Sequence, residues 1–420
     1  MRLEEYVNAF DYDYPTPALD AERPFTLTMR AAKSPLAETT LLAIGIKAKE
    51  VPWAKRPANL VFLVDTSGSM GADNKLPLVK VVLREALTVL DGEDTISIVT
   101  YAGHTAVRLE PTAASQRAHI EAAIDGLTSA GGTAGASGIN LAYEQAAKGF
   151  ITGGINHVLL CTDGDFNIGI SDTSALVALI EEKRKTGVTL TALGFGYGNL
   201  NDAMMEAVTN AGNGIYSVIS DEDQAISYTH DKLLRTLNLV AKDVKIQVEF
   251  NAAQVYAYRL LGYENRALQD DQFRDDKVDA GEVGSGHTVT AIYELALKPT
   301  EVPDVQGAPT LLDGEAAEHQ SEVPAGELCR VRVRYKGPNA SEDDRADEMQ
   351  AGLVAEAIQP ELAQASPDMQ WAVAIAILKE SPYAQPAALE MIEGLLVSNA
   401  GSAMDRQELL TLLAKARGLL

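Results

Sequence analysis

Residues 60–71 read Leu-Val-Phe-Leu-Val-Asp-Thr-Ser-Gly-Ser-Met-Gly. An apolar run ends on Asp65, and Ser67 and Ser69 follow with Gly68 between them. Further along, Thr133 sits in the glycine-rich stretch Gly131 to Gly135, and Asp163 follows a second apolar run as Thr162-Asp163-Gly164. Carboxylate and hydroxyl oxygens suit hard cations such as Mg²⁺, Mn²⁺ or Ca²⁺. Mg²⁺ wants an octahedral shell and keeps several of its waters. Two serines, a threonine and two carboxylates, some acting through water, therefore leave one coordination position open, which a carboxylate from a protein partner can fill. Glycines beside these groups allow close backbone approach. The expectation is a metal site. Asp65, Ser67 and Ser69 taken alone also fit an ordinary strand-to-helix turn, with Ser and Asp as caps.

The elements that must position these groups alternate strand and helix over residues 58–240, as in a parallel sheet covered on both faces. The strand at 60–65 is apolar throughout, which marks a strand buried on both sides. Helix-spaced apolar residues run from Lys75 to Leu90, and further strands are expected at Thr95 to Tyr101, Ala106 to Glu110, His157 to Thr162, Thr189 to Gly196 and Ile215 to Ile219. Helices are expected at Gln116 to Leu127, Ser137 to Phe150, Ser174 to Lys185, Asn201 to Asn210 and Glu222 to Asn238. In such an open sheet ligands bind at the carboxyl ends of the strands, where Asp65 and Asp163 fall.

Outside this region the pattern changes. Residues 1–57 carry a short helix candidate, a Pro-rich stretch and two alternating strands, Phe25 to Ala31 and Thr40 to Ala48. Residues 241–338 alternate in strand fashion at Val244 to Phe250, Val255 to Leu260, Thr288 to Leu297 and Leu328 to Tyr335. The two early strands complete this set, so the α/β domain reads as an insertion into an antiparallel β-sandwich. Residues 339–420 read as helical, with helices at Asp343 to Ile358, Met369 to Lys379, Ala387 to Val397 and Arg406 to Ala416.

Composition excludes several functions. The chain has 420 residues, 46% hydrophobic, and a formal net charge of −24, which repels nucleic acid and anionic membrane. The two cysteines, Cys161 and Cys329, lie in strand patterns and read as buried thiols rather than a disulfide framework. No apolar stretch reaches the ~18 residues of a transmembrane helix, and the charged, aromatic start cannot be a signal peptide.

Enzymatic patterns are wanting. A phosphotransferase DxD pair would need Asp where Ser67 stands, and a nucleophile elbow would need Gly where Ser67 precedes Gly68-Ser69. No phosphate-binding GxxxxGK[ST] occurs, and Gly194-Phe195-Gly196-Tyr197-Gly198 lacks the spacing of a dinucleotide loop. The six histidines (104, 119, 157, 230, 287 and 319) show no metal-ligand pairing. The acidic run Asp270, Asp271, Asp275, Asp276, Asp279 and Glu282 lacks the order of an EF-hand and reads as a solvated loop. Phe166 and Asn167 follow the Asp163 loop as either specificity contacts or loop packing.

Asp65, Ser67, Ser69, Thr133 and Asp163 together resemble the metal-ion-dependent adhesion site of von Willebrand factor type A (VWA) domains. The resemblance implies a doubly wound, Rossmann-like α/β fold over 58–240. It also implies a divalent cation, Mg²⁺ foremost with Mn²⁺ or Ca²⁺ as alternatives. The hydroxyls of Ser67, Ser69 and Thr133 then bind the cation directly, the aspartates act mainly through water, and an acidic residue of a protein partner completes the shell. The flanks resemble a narrower group, the bacterial YfbK-type VWA proteins. The residues that carry this are Leu3 to Asn8 with Phe10 to Pro15, Arg259 to Arg266, and Val278 to Leu295. Members of that group usually carry an upstream segment, often headed by an export or lipoprotein signal, so the resemblance suggests a place in the cell envelope. The leading expectation is a non-enzymatic, metal-dependent adhesion module. An envelope assembly factor with a merely stabilising metal is the alternative, and a metal-dependent hydrolase the remote one.

Overall fold

A computed structural model of the chain describes residues 3–51, 56–131, 136–164, 173–196, 200–233, 238–262, 273–275, 280–298, 323–338, 340, 344–380 and 386–417. The chain forms two compact units. One takes Met1–Glu50, Val240–Asp279 and Ser285–Leu420; the other takes Val51–Leu239 with Ala280–Gly284.

The first unit begins with α1 (Leu3–Val7), β1 (Phe25–Lys33) and β2 (Thr40–Ala48), β1 and β2 forming an antiparallel hairpin. The second unit then runs β3 (Ala58–Asp65), α2 (Leu76–Val89), β4 (Thr95–Tyr101), β5 (Thr105–Ala113), α3 (Arg117–Asp125), α4 (Ala136–Lys148), β6 (Ile155–Thr162), α5 (Thr173–Arg184), β7 (Thr189–Phe195), α6 (Asp202–Ala211), β8 (Tyr216–Ile219) and α7 (Glu222–Ser227). Its six strands lie in the order β5-β4-β3-β6-β7-β8. All neighbours are parallel except the β4–β5 edge pair.

All eight residues of β3 are buried, and its alternation serves two cores. Leu60, Phe62 and Val64 pack with Leu83 and Leu87 of α2 and with Ile120 of α3. Val61 and Leu63 pack with Ile139 of α4, Ile180 of α5 and Met205 of α6. Each such side chain stabilises the fold by about 1.5–3 kcal/mol relative to exposure. β3 thus has helices on both faces and strands on both sides. From β3 the chain moves outward to β4, then returns to lay β6 on the opposite side. The crevice between β3 and β6 is the topological switch point of the sheet, where open α/β sheets take their ligands.

Beyond α7 the chain makes a π-helical turn, Tyr228–Leu233, where one helix to Asn238 is expected. Strands β9 (Leu239–Phe250), β10 (Val255–Leu261), β11 (Gly281–Gly284), β12 (Thr288–Leu297), β13 (Glu327–Lys336) and β14 (Asp347–Val354) follow, then helices α8 (Pro367–Glu380), α9 (Pro386–Asn399) and α10 (Met404–Arg417). In the first unit β1-β2-β12-β10 form one antiparallel sheet, and in the other β13 lies between β9 and β14. The sheets meet through aromatic rings. Phe250 stands 4.5 Å from Tyr258 and 5.4 Å from Tyr293, and Phe25 stands 5.4 Å from Tyr335, centroid to centroid.

The helix expected over Asp343 to Ile358 is instead strand β14 followed by a 3₁₀ turn. Met349 and Leu353, four apart, fit either periodicity. Only the tertiary setting decides: β13 has a free edge, which β14 fills with an antiparallel ladder, and Gly352 leaves room for the Glu327 side chain beside it.

The helices join the N-terminal segment around Trp371. Leu3, Val7 and Tyr12 share its cluster with Ile392 and Leu396, and Phe10 meets its indole edge-on at 5.2 Å. No helix among the described residues is long and apolar enough to cross a membrane.

Candidate metal centre

Asp65 closes β3 as a fully buried carboxylate. Its Oδ1 accepts the backbone N–H of Ser67 at 2.8 Å, and its Oδ2 accepts the Thr162 hydroxyl at 3.4 Å, from the last residue of β6. Burial pushes the Asp65 carboxyl up from 3.8 to about 6; hydrogen bonds from Ser67 hold it back, and the nearby Asp163 charge adds to the rise. A carboxylate kept dry beside a second one is a group that gains from a cation.

The loop after Asp65 is stitched on both sides. Thr66 donates its N–H to the Tyr101 carbonyl at the end of β4 at 2.9 Å and accepts from Ala130 N–H at 2.8 Å. Gly68 N–H reaches the Gly131 carbonyl at 3.0 Å, bringing the first edge of the glycine-rich stretch against the serines. Gly131 has φ of +84°, a left-handed conformation suited to glycine. Ser67 and Ser69 hold their hydroxyl oxygens 3.0 Å apart, Ser67 buried and Ser69 exposed.

Asp163, one residue past β6, is 2% exposed. Gly164 beside it has φ of +93° and donates its N–H to Thr162 Oγ1 at 3.2 Å, which turns the chain sharply after the carboxylate. Asp163 Oδ2 takes the Lys75 ammonium at 2.8 Å. The helical spacing marks Lys75 only as the start of a helix. Its signal was available: a lysine at a helix N-terminus opposes the helix dipole, so a carboxylate is to be sought nearby.

Asp65, Ser67, Ser69 and Asp163 therefore converge on the β3–β6 crevice. Thr133 lies outside the described residues, as do Phe166 and Asn167. Among the described residues no three His, Cys, Asp or Glu side chains gather as a metal cluster. The donors here are two carboxylates and two hydroxyls, a set that fits a hard cation sharing its shell with water. His157 stands at the far end of β6, fully buried, with Nδ1 2.5 Å from Thr189 Oγ1. His230 pairs with Glu85 at 2.9 Å. Neither reaches the crevice loops. Of the acidic run, Asp270, Asp271, Asp276 and Asp279 lie outside the described residues, while Glu282 accepts from the Asn213 amide at 3.0 Å.

Comparison with known proteins gives matching family models along the chain. The von Willebrand factor type A domain matches residues 59–231, the model described as "Uncharacterized protein YfbK, C-terminal" matches 235–419, and a von Willebrand factor model matches 1–43. The protein YfbK of Escherichia coli is 38% identical over 406 residues, 94% of this chain and 68% of that protein. The protein sll0103 of Synechocystis is 29% identical over 200 residues, 47% of this chain and 46% of that one. Among solved structures, a von Willebrand factor type A protein from Catenulispora acidiphila aligns with a TM-score of 0.51 at 15% identity, covering 94% of this chain and 90% of that one. That likeness speaks for the fold.

Proposed function

The chain belongs to the YfbK family of proteins that carry a von Willebrand factor type A domain, and from that premise we propose that it is a metal-dependent protein-binding module rather than an enzyme. Asp65, Ser67, Ser69, Thr133 and Asp163 would hold a divalent cation, Mg²⁺ foremost, and a Glu or Asp of a partner protein would complete its shell. The observation that carries this reading is the meeting of two buried carboxylates, Asp65 and Asp163, with two hydroxyls at the switch point of the sheet. Bound there, the cation supplies a Lewis acid for a partner carboxylate oxygen. The chain's own residues do the rest: Asp65 folds the serine loop, and the exposed Ser69 hydroxyl faces the incoming group.

A catalytic reading has less support. The Ser67 hydroxyl is shared between the Ser69 hydroxyl, 3.0 Å away, and the Asp65 carboxylate, a set of oxygens that suits a cation better than the histidine-activated serine of a nucleophile.

The test is thermal unfolding of wild type, Asp65→Ala and Thr133→Ala with EDTA, Mg²⁺, Mn²⁺ and Ca²⁺, followed by partner capture in Mg²⁺ against EDTA. A midpoint shift confined to wild type and capture lost in EDTA are the expected results. Metal shifts unchanged in both variants would refute the site, and capture that persists in EDTA would favour the assembly-factor role.

A further inference from the structure

We propose that Lys75 is a built-in counter-cation that competes with a divalent ion for Asp163 and so sets the affinity of the site. The inference rests on the metal-site reading above and deepens it.

Lys75 Nζ and Asp163 Oδ2 are 2.8 Å apart, with side chains only 14% and 1% exposed. This is unlike the surface pair Arg84–Asp125, whose side chains are 46% and 68% exposed. A buried carboxylate needs a partner, and removing one leaves an uncompensated charge. The lysine is also held in place by its stem. A Cβ built on Gly196, one residue past β7, would lie 2.8 Å from Lys75 Cε and 3.2 Å from Cγ, so glycine there leaves the slot through which the stem passes. Gly196 has φ of +90°, which favours glycine on its own account. Three places in the chain thus cooperate: the residue preceding α2 supplies the charge, the end of β6 the carboxylate, and the end of β7 the channel.

An ammonium held on Asp163 Oδ2 and a divalent cation reached from that oxygen, directly or through a water, compete for one negative charge. They repel, and the carboxylate is neutralised by whichever sits there. Entry of the cation therefore requires the Lys75 head to swing toward solvent while its stem stays over Gly196. The ion pair lowers apparent metal affinity and keeps Asp163 neutralised before metal binds.

The experiment is calorimetric titration of the full chain with Mg²⁺ and Mn²⁺, for wild type, Lys75→Met and Lys75→Arg, with circular dichroism and thermal midpoints in EDTA. Methionine keeps the stem and removes the charge. Lys75→Met is expected to bind metal about tenfold or more tighter than wild type, to melt lower in EDTA, and to gain more from metal; Lys75→Arg should bind like wild type. If Lys75→Met does not fold in EDTA, Lys75→Gln is read in its place. A folded Lys75→Met that binds no tighter than a metal-binding wild type overturns the competition and leaves the site intact. No metal binding by any of the proteins overturns the site itself and the inference with it.

Discussion

Asp65 Oδ1 accepts the backbone N–H of Ser67 at 2.8 Å, so one carboxylate both ends the central strand and folds the loop that presents the serines. The same carboxylate burdens the fold. Its pKa in the folded chain is about 6 against 3.8, chiefly through burial. Between those values the native state holds the proton more tightly than the unfolded state, so stability falls as pH rises through that window, and the whole deficit persists above pH 6. At neutral pH it amounts to about 3 kcal/mol at most. Asp65→Asn keeps the side-chain oxygen and removes the charge. It is expected to raise the unfolding midpoint in EDTA at pH 7.5 and to lose the Mg²⁺-dependent rise. Differential scanning calorimetry decides; a lowered EDTA midpoint would show that the carboxylate is not a cost to the fold.

His157 gives a pH dependence of opposite sense. Full burial lowers its imidazole from 6.5 to about 4, and its Nε2 has no hydrogen-bond partner among the described residues. From pH 6.5 down to 4 the unfolded chain takes a proton that the native chain refuses, so stability declines with acidification across that range, by about 3 kcal/mol at full extent. His157→Asn retains an amide near the Nδ1 position that meets Thr189. Urea titrations at pH 7.5, 5.5 and 4.5 should show the loss from high to low pH flattened in the variant relative to wild type. Parallel profiles would mean that the ring is protonated inside the fold.

What the sequence revealed and what it hid follow one division. The strand to Asp65 was legible because burial on both faces leaves an uninterrupted apolar run. The convergence of Asp65 and Asp163 was legible because ligand residues in open sheets collect at strand carboxyl ends. Pairings between distant residues left no such trace. Lys75 and Asp163 are joined only by the fold, although a lysine at a helix start was a clue. Asp347 to Val354 became a strand because β13 offered it an edge, a fact about residues 327–336 that no local pattern contains. The N-terminal resemblance motif shows the same limit: Asn8 exchanges hydrogen bonds with the Thr290 backbone at 2.7 and 3.1 Å. Two stretches that carry the likeness to YfbK-type proteins are thus in contact with each other.

Arg406 ties the C-terminal helices to the N-terminal segment. Its guanidinium lies 5.0 Å from the Trp371 ring and 5.7 Å from Tyr12, and it donates to Asp368 Oδ1 at 2.8 Å, the Asn399 carbonyl at 3.0 Å and the Asp11 carbonyl at 2.7 Å. A lysine cannot reproduce a planar fork stacked between rings. Arg406→Lys should therefore destabilise the chain by about 2–4 kcal/mol, from lost charged hydrogen bonds and cation–π contact. Denaturant unfolding followed by tryptophan fluorescence measures it. A change within ~0.5 kcal/mol, the range of ordinary surface substitutions, would refute the clasp.

The two cysteines offer a separate gauge of each unit. Cys161 on β6 is fully buried and Cys329 on β13 equally so. Burial raises both thiols, that of Cys329 up to about 12 and that of Cys161 further still. Since the thiolate is the reactive form, neither should react with a disulfide reagent at pH 8 until its own unit opens. Cys161→Ala and Cys329→Ala each leave one reporter. Under the proposed site, Mg²⁺ would stabilise only the unit that contains Cys161, and at about 100 times its dissociation constant it would add roughly 2.7 kcal/mol. Labelling of Cys161 should then slow about a hundredfold on replacing EDTA with Mg²⁺, as the open population falls, while Cys329 labels at an unchanged rate. Equal slowing at both cysteines would mean that the units open together, and no slowing at Cys161 would place the cation elsewhere or nowhere.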